Sequence, residues 1–349
     1  MKILLSILVL ALIANAGTIH PQLAAILKPM KPADELQVIV HMKNHSSLDH
    51  FPKGTPKEVK LLYLQDFAEN DQREILAFLQ GFGNQIKGLN TWWIFNGFTF
   101  TATKDIIESV AAREDIDYVV DNFIIKLEPQ MSNKPAQSRA PEWGLIMISA
   151  PQCWNDGYDG SGIIVGNMDT GVEESHPALI GKWVPGGWFD AVNSQPTPYD
   201  DNGHGTHTMG TICGGDGNGP FVDDIGVAPG ANFICAKAFD SGGSGQVTWI
   251  HDCFQWNAGQ NVNVVCNSWG SSDVTSLEYW DDCVNWRSLG IYPVFAVNND
   301  GPNPGTAGTP GNFPIVTGVG ATYQNDDILG ISGRGPAPNQ DPWNDPANW

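Results

Sequence analysis

The chain has 349 residues, 42% hydrophobic and 16% charged, with 18 Lys plus Arg against 38 Asp plus Glu for a formal charge of −20. At about 150 residues per domain this length suggests two domains, and the composition excludes a disordered acidic tail, a coiled coil and a collagen-like chain. So acidic a chain is no phosphate-binding surface, and nucleic acid is not an expected partner. The charge is uneven: from Pro141 to Trp349 only Lys182, Lys237, Arg287 and Arg334 face 23 acids, a balance of −19, while Met1 to Ala140 stands at −1. The C-terminal part also holds 11 of the 13 Trp and all six Cys, so two differently composed domains are expected.

In chain order, Met1–Ala16 comes first, with one cation at Lys2, an apolar run from Ile3 to Ile13 and the triplet Ala14-Asn15-Ala16. This reads as a secretory signal peptide cleaved after Ala16. The run is too short to span a bilayer, and no later stretch is a membrane anchor, so a secreted or vesicle-lumen protein is expected. In that compartment the six cysteines are able to form disulfides, whose connectivity stays open. Cys235 and Cys266 lie in apolar runs and equally suit free buried thiols. The absence of a Cys-x-x-Cys pair disfavours a zinc ribbon.

Residues 17–128 read as a small α/β module. Leu36–Met42 is a strand, and Lys57–Phe82 a helix by the period of its apolar Val59, Leu62, Leu64, Phe67, Ile75, Leu76 and Leu79. Thr91–Phe95 and Phe98–Ala102 form a hairpin around Asn96-Gly97, Lys104–Arg113 a short helix, and Tyr118–Leu127 a last strand. The order β-α-β-β-α-β is a ferredoxin-like split unit, which by itself implies no function. Pro129–Pro141 is a polar, Pro-bearing linker of the kind proteases cut. Asn44-His45-Ser46 fits an N-glycosylation acceptor, a pattern that chance explains as well.

From residue 142 onward the segments alternate between buried-strand runs and helix-length stretches, which predicts a mainly parallel sheet covered on both faces. The strand runs end in Asp169 and include Phe233–Ala238, Val262–Cys266, Ile291–Val297 and Ile315–Val319. An acid at the C-terminal edge of such a strand stands where open α/β sheets place their sites. Asp200-Asp-Asn-Gly-His204-Gly-Thr-His207 puts a histidine at a helix start, 35 residues after Asp169. That supplies a base and the group that orients it. The two histidines also fit metal ligation or satisfied core positions, although the H-E-x-x-H zinc pattern is absent. Asn299 ends another strand, where an amide is able to stabilise an oxyanion, an effect worth ~10²–10³ in rate. An ordinary Asn-Asp-Gly turn accounts for it equally.

Taken together, Asp169-Thr-Gly-Val, Gly203-His204-Gly-Thr-His-Thr-Met-Gly, Asn267-Ser-Trp-Gly and Asn299 follow the order found in the subtilisin-like serine proteases, peptidase family S8. The text is most similar to bacillopeptidase F-like members through Glu142-Trp-Gly-Leu, Ile148-Ser-Ala-Pro-Gln, Trp188-Phe-Asp-Ala-Val-Asn, Gly226-Val-Ala-Pro-Gly and Ser332-Gly-Arg-Gly-Pro. The resemblance implies a doubly wound α/β peptidase domain at 142–349, preceded by a ferredoxin-like propeptide that chaperones and inhibits it. It implies a secreted, monomeric endopeptidase zymogen acting on polypeptides, with no cofactor required for catalysis. Asp169 would orient His204, and Asn299 would supply the oxyanion donor. Ser268, Trp269 and Gly270 would pair with the substrate backbone and wall its first pocket, and His207 would be structural. Asn298 replaces the family's usual Gly and narrows that pocket's floor.

The family nucleophile lies in Gly-Thr-Ser-Met-Ala, and no such text occurs here. The nearest echo is Gly305-Thr-Ala-Gly-Thr-Pro, which has no Ser. The peptidase domain is therefore expected to be C-terminally incomplete and inactive as it stands, with an apolar sheet face left open. A pseudo-protease or propeptide-type inhibitor is the alternative. A third reading is an acidic calcium-binding protein using Asp200-Asp201 and Asp223-Asp224, pairs that a solvated acidic surface explains equally.

Overall fold

A computed structural model describes residues 17–127, 141–215 and 225–348. The expected signal peptide, nearly all of the linker and the pair Asp223-Asp224 lie outside the described residues. The chain divides into two units, Met1–Phe123 and Ile124–Trp349.

The first unit runs β1 (Thr18–Ile19), α1 (Pro21–Leu27), β2 (Glu35–Met42), α2 (Lys57–Gln80), β3 (Lys87–Trp92), β4 (Gly97–Thr103), α3 (Lys104–Ala111) and β5 (Ile116–Asp121). The strands lie in the order β1-β5-β2-β4-β3. Pairs from β5 to β3 are antiparallel and β1 adds a parallel edge on β5. Apart from β1 and α1, this is the expected split unit. The period of two puts Val38, Val40 and Met42 of β2 on the same face as Phe98, Phe100 and Ala102 of β4. There Ile75 and Leu79 of α2 and Ile106, Ile107 and Val110 of α3 close the core.

Two details differ from the sequence reading. The buried stripe of α2 is Leu64, Ala68, Gln72, Ile75 and Leu79, whereas Val59 and Leu62 face solvent. Gln72 holds its place by donating to the Trp92 carbonyl and to Asn96 Oδ1. Strand β3 stops at Trp92 because Asn96, with φ 55°, belongs to the turn.

The second unit opens with β6 (Ile124–Lys126), so the expected strand 118–127 is two strands in two sheets. Then follow α4 (Trp143–Met147), α5 (Ala150–Asn155), β7 (Ile164–Asp169), β8 (Trp183–Asp190), α6 (His204–Cys213), β9 (Asn232–Lys237), β10 (Ser244–Gln246), α7 (Val247–Gly259), β11 (Val264–Asn267), α8 (Trp280–Ser288), β12 (Tyr292–Ala296) and β13 (Thr317–Val319). Six of the strands form one parallel sheet, ordered β13-β12-β11-β7-β9-β8. A small second sheet pairs β6 antiparallel with β10. Strand β8 was not expected, because Pro185-Gly186-Gly187 interrupts its pattern. It is tolerated as an edge strand whose register shifts between Trp183 and Trp188.

The strand registers separate the two faces. On one, Met209 and Cys213 of α6 cover Val165 of β7 and Phe233 and Cys235 of β9. On the other, Phe254 of α7 and Trp286 of α8 pack with their rings 4.3 Å apart, and Phe295 of β12 stacks behind Phe254. The α6 side continues across Val264 and Cys266 of β11 and Tyr292, Val294 and Ala296 of β12 to Val319 of β13. That stretch is only partly covered by the described residues: Tyr292 and Val319 are each 48% exposed, and Val264, Cys266, Val294 and Ala296 are half-buried.

All six cysteines are free thiols. Burial pushes Cys213 up to about 12 and Cys235, Cys253 and Cys283 well above the ordinary thiol value, so they pack as small protonated hydrophobes.

Candidate functional site

Strands β7, β11 and β12 run parallel, so the segments after Asp169, Asn267 and Ala296 lie side by side at one edge of the sheet. Helix α6 delivers His204 to that edge as its first residue. His204 Nδ1 lies 2.6 Å from Asp169 Oδ1, with the carboxylate fully buried and the imidazole 13% exposed. A carboxylate accepts only, so Nδ1 carries the proton and Nε2 is left as the basic nitrogen. Asp169 Oδ1 also accepts from the Thr170 amide at 2.7 Å, and Oδ2 accepts from the Thr208 hydroxyl at 3.3 Å. Burial favours the neutral imidazole, but hydrogen bonding and charge from Asp169, helped by Asp200, outweigh it and raise the His204 pKa.

The turn around this pair depends on two close approaches. Gly171, at φ +119°, lies against the Tyr199 carbonyl, and Gly205 lies against the Gly171 carbonyl; a Cβ at either position would overlap that oxygen. Asn167 donates to the Gly205 carbonyl at 3.2 Å and to Thr208 Oγ1 at 3.0 Å, which anchors the first turn of α6 on β7.

Asp200 is the residue whose role sequence reasoning missed. Its Oδ1 accepts from the Thr170 hydroxyl and from the Asn202 and Gly203 amides, and its Oδ2 from the Thr206 amide and hydroxyl, all within 2.6–3.1 Å. Burial opposes ionisation, yet these donors hold its carboxyl below the usual range. Asp201 pairs with Lys237 at 2.6 Å. Asp200 is thus turned wholly toward protein donors, whereas Asp201 keeps a side chain 38% exposed. A side chain six positions before Thr206 that closes a loop on it leaves no composition signal; only the Asp-x-x-Gly turn pattern hinted at it.

Of the remaining expected residues, Ser268 and Gly270 lie half-buried just past β11, while Asn299 is exposed just past β12. Trp269 is 3% exposed, and its ring packs among Phe239, Phe254, Tyr279 and Phe295, so only its backbone reaches the edge. Asn298 takes the left-handed φ of 64° that asparagine tolerates. Its amide fills the space beside Gly270 and Gly308, where a Cβ on either glycine would collide with it. The Gly305–Pro310 segment is stapled here, through Gly308 N to the Val297 carbonyl and Ser271 N to the Thr309 carbonyl.

The subtilase family profile matches residues 160–347. The chain is 33% identical over 312 residues to bacillopeptidase F of Bacillus subtilis (strain 168), covering 78% of this chain and 21% of that protein. It is 34% identical over 212 residues to subtilisin E of the same strain, covering 60% and 53% respectively. A subtilisin of Bacillus pumilus is 34% identical over 197 residues, 55% of this chain and 68% of its own length. The chain thus spans about a fifth of bacillopeptidase F and about half of subtilisin E. With more than half of its length under the family profile, and the Asp169–His204 pair inside the matched region, this chain belongs to the subtilase family.

Proposed function

We propose that this chain carries the acid–base half of a secreted serine endopeptidase zymogen. The carrying observation is the 2.6 Å contact of His204 Nδ1 with buried Asp169, which leaves Nε2 as the base. In this reading Nε2 takes the proton of a serine hydroxyl as its oxygen attacks the scissile carbonyl, and returns it to the leaving amine as the C–N bond breaks. Water then repeats the sequence to release the acyl group. Asn299 supplies a donor to the oxyanion, and the backbone of Ser268, Trp269 and Gly270 lines the bound peptide. No cofactor enters these steps.

The half-covered face of β11–β13 beside α6, next to His204, is where a segment bearing the family's Gly-Thr-Ser motif would pack. The pairing of β6 with Ser244–Gln246, extended by the Leu127 amide on the Gly243 carbonyl at 2.8 Å, supports a product-like strand holding the substrate edge closed until cleavage in 128–141. Secretion rests on Met1–Ala16; among the described residues no helix is long and apolar enough to cross a membrane.

A fluorophosphonate probe tests the reading. The 349-residue chain takes up no label, whereas a polypeptide that continues through a Gly-Thr-Ser motif is labelled and cleaves peptides, and His204→Ala abolishes both. Labelling that survives His204→Ala refutes the assigned base.

A further inference from the structure

We infer that Lys237 is a positioning residue for the Asp169–His204 pair, an inference that rests on reading that pair as catalytic. Lys237 ends β9 with its side chain fully buried. A buried ammonium persists only where acceptors replace its water. Its Nζ donates to the Thr170 carbonyl at 2.5 Å and to Asp201 Oδ1 at 2.6 Å, and lies 4.8 Å from the centre of the Tyr199 ring. Each partner belongs to the scaffold of the pair. Thr170 directly follows Asp169, and its hydroxyl accepts from the Gly205 amide at 2.9 Å. Asp201 stands three residues before His204. Tyr199 donates to Asp190 Oδ2 at 3.0 Å and passes its carbonyl to the Val172 amide. One side chain therefore ties the strand end that carries the acid to the loop that carries the base.

Its charge matters as well as its reach. Asp169, Asp190 and Asp200 push the nearby Cys235 thiol up in pKa while Lys237 pulls it down, so the acids and the lysine act on the same ground. Asp169 and Asp200 already favour the charged imidazole of His204. A cation fixed between the Thr170 carbonyl and Asp201 opposes that field and so favours a neutral Nε2.

The test follows the His204 imidazole by NMR in the full 349-residue chain from about pH 5 to 9. No hydrolysis is needed, so its failure is distinct from failure of the protease reading. Lys237→Met raises the His204 titration midpoint by roughly half a pH unit or more and displaces the Nδ1–H resonance. Asp201→Asn, at a side chain 38% exposed, moves the midpoint down. The double variant returns it close to the parent value, a compensation that a purely structural lysine would not produce. A midpoint unmoved by Asp201→Asn and by Lys237→Met, or moved in the opposite directions, overturns the inference. Should Lys237→Met not fold, Asp201→Asn decides alone, and an unmoved or raised midpoint overturns it.

Discussion

His251 of α7 is fully buried, and its Nε2 and Nδ1 meet Glu278 Oε1 at 3.0 Å and Asp282 Oδ1 at 3.2 Å, with the Tyr279 ring centred 5.2 Å away. Burial disfavours the imidazolium, but Asp282 and Glu278 outweigh it and raise the pKa from the ordinary 6.5 to about 9. That difference of 2.5, at about 1.4 kcal/mol per pH unit, amounts to about 3 kcal/mol of stability. Because the folded value lies above the unfolded one, the stabilisation is complete below about pH 6.5 and is lost as pH rises through about 9. Urea unfolding followed by tryptophan fluorescence at about pH 6, 8 and 10 measures it. His204 also has a raised pKa and contributes in a neighbouring window, so His251→Leu is the needed control. The variant leaves two buried carboxylates facing each other and is less stable at pH 6 by about 3–5 kcal/mol. Its stability also falls less steeply between pH 6 and 10. Equal pH slopes in the two proteins would refute the buried imidazolium.

Two further predictions concern the loop around His204. Asp200→Ala strips acceptors from the Asn202, Gly203 and Thr206 amides and from two hydroxyls, and lowers stability by about 2–4 kcal/mol in urea titrations. Since its carboxyl is held below the usual range, the parent's advantage over the variant is present at neutral pH and disappears as pH falls through that range; an advantage persisting at about pH 2 contradicts this. Gly205→Ala drives a methyl into the Gly171 carbonyl, so it lowers the thermal midpoint and loosens the His204–Asp169 contact. An unchanged Nδ1–H resonance and midpoint would show that the turn gives way freely.

Strands β7, β9, β11 and β12 were legible because a strand buried on both faces writes itself as a continuous apolar run. The core of the first unit was legible through its periods of two and 3.6, and the hairpin itself was legible, although its turn covers residues 93–96 and β3 ends three residues before the expected Phe95. Asp169 and His204 were legible as types and order, since an acid at a strand end and a histidine opening a Gly-rich helix are local features. Their 2.6 Å contact was not, because it depends on α6 packing against β7.

Charge, the two differently composed parts, the α/β architecture and the acid–base candidates were thus set by the sequence itself, through local pattern and composition. The tertiary structure alone decided the rest. It split 118–127 between two sheets, since β6 finds its partner at β10 more than a hundred residues away. It buried the Trp269 ring and turned Asp200 from an apparent surface acid into the hub of a loop. It placed Lys237, indistinguishable in sequence from any other lysine, beside Asp169 in the sheet with its Nζ on the Thr170 carbonyl and Asp201. Each outcome rests on a contact between residues distant in the chain, where the energy of burial and hydrogen bonding outweighs local preference.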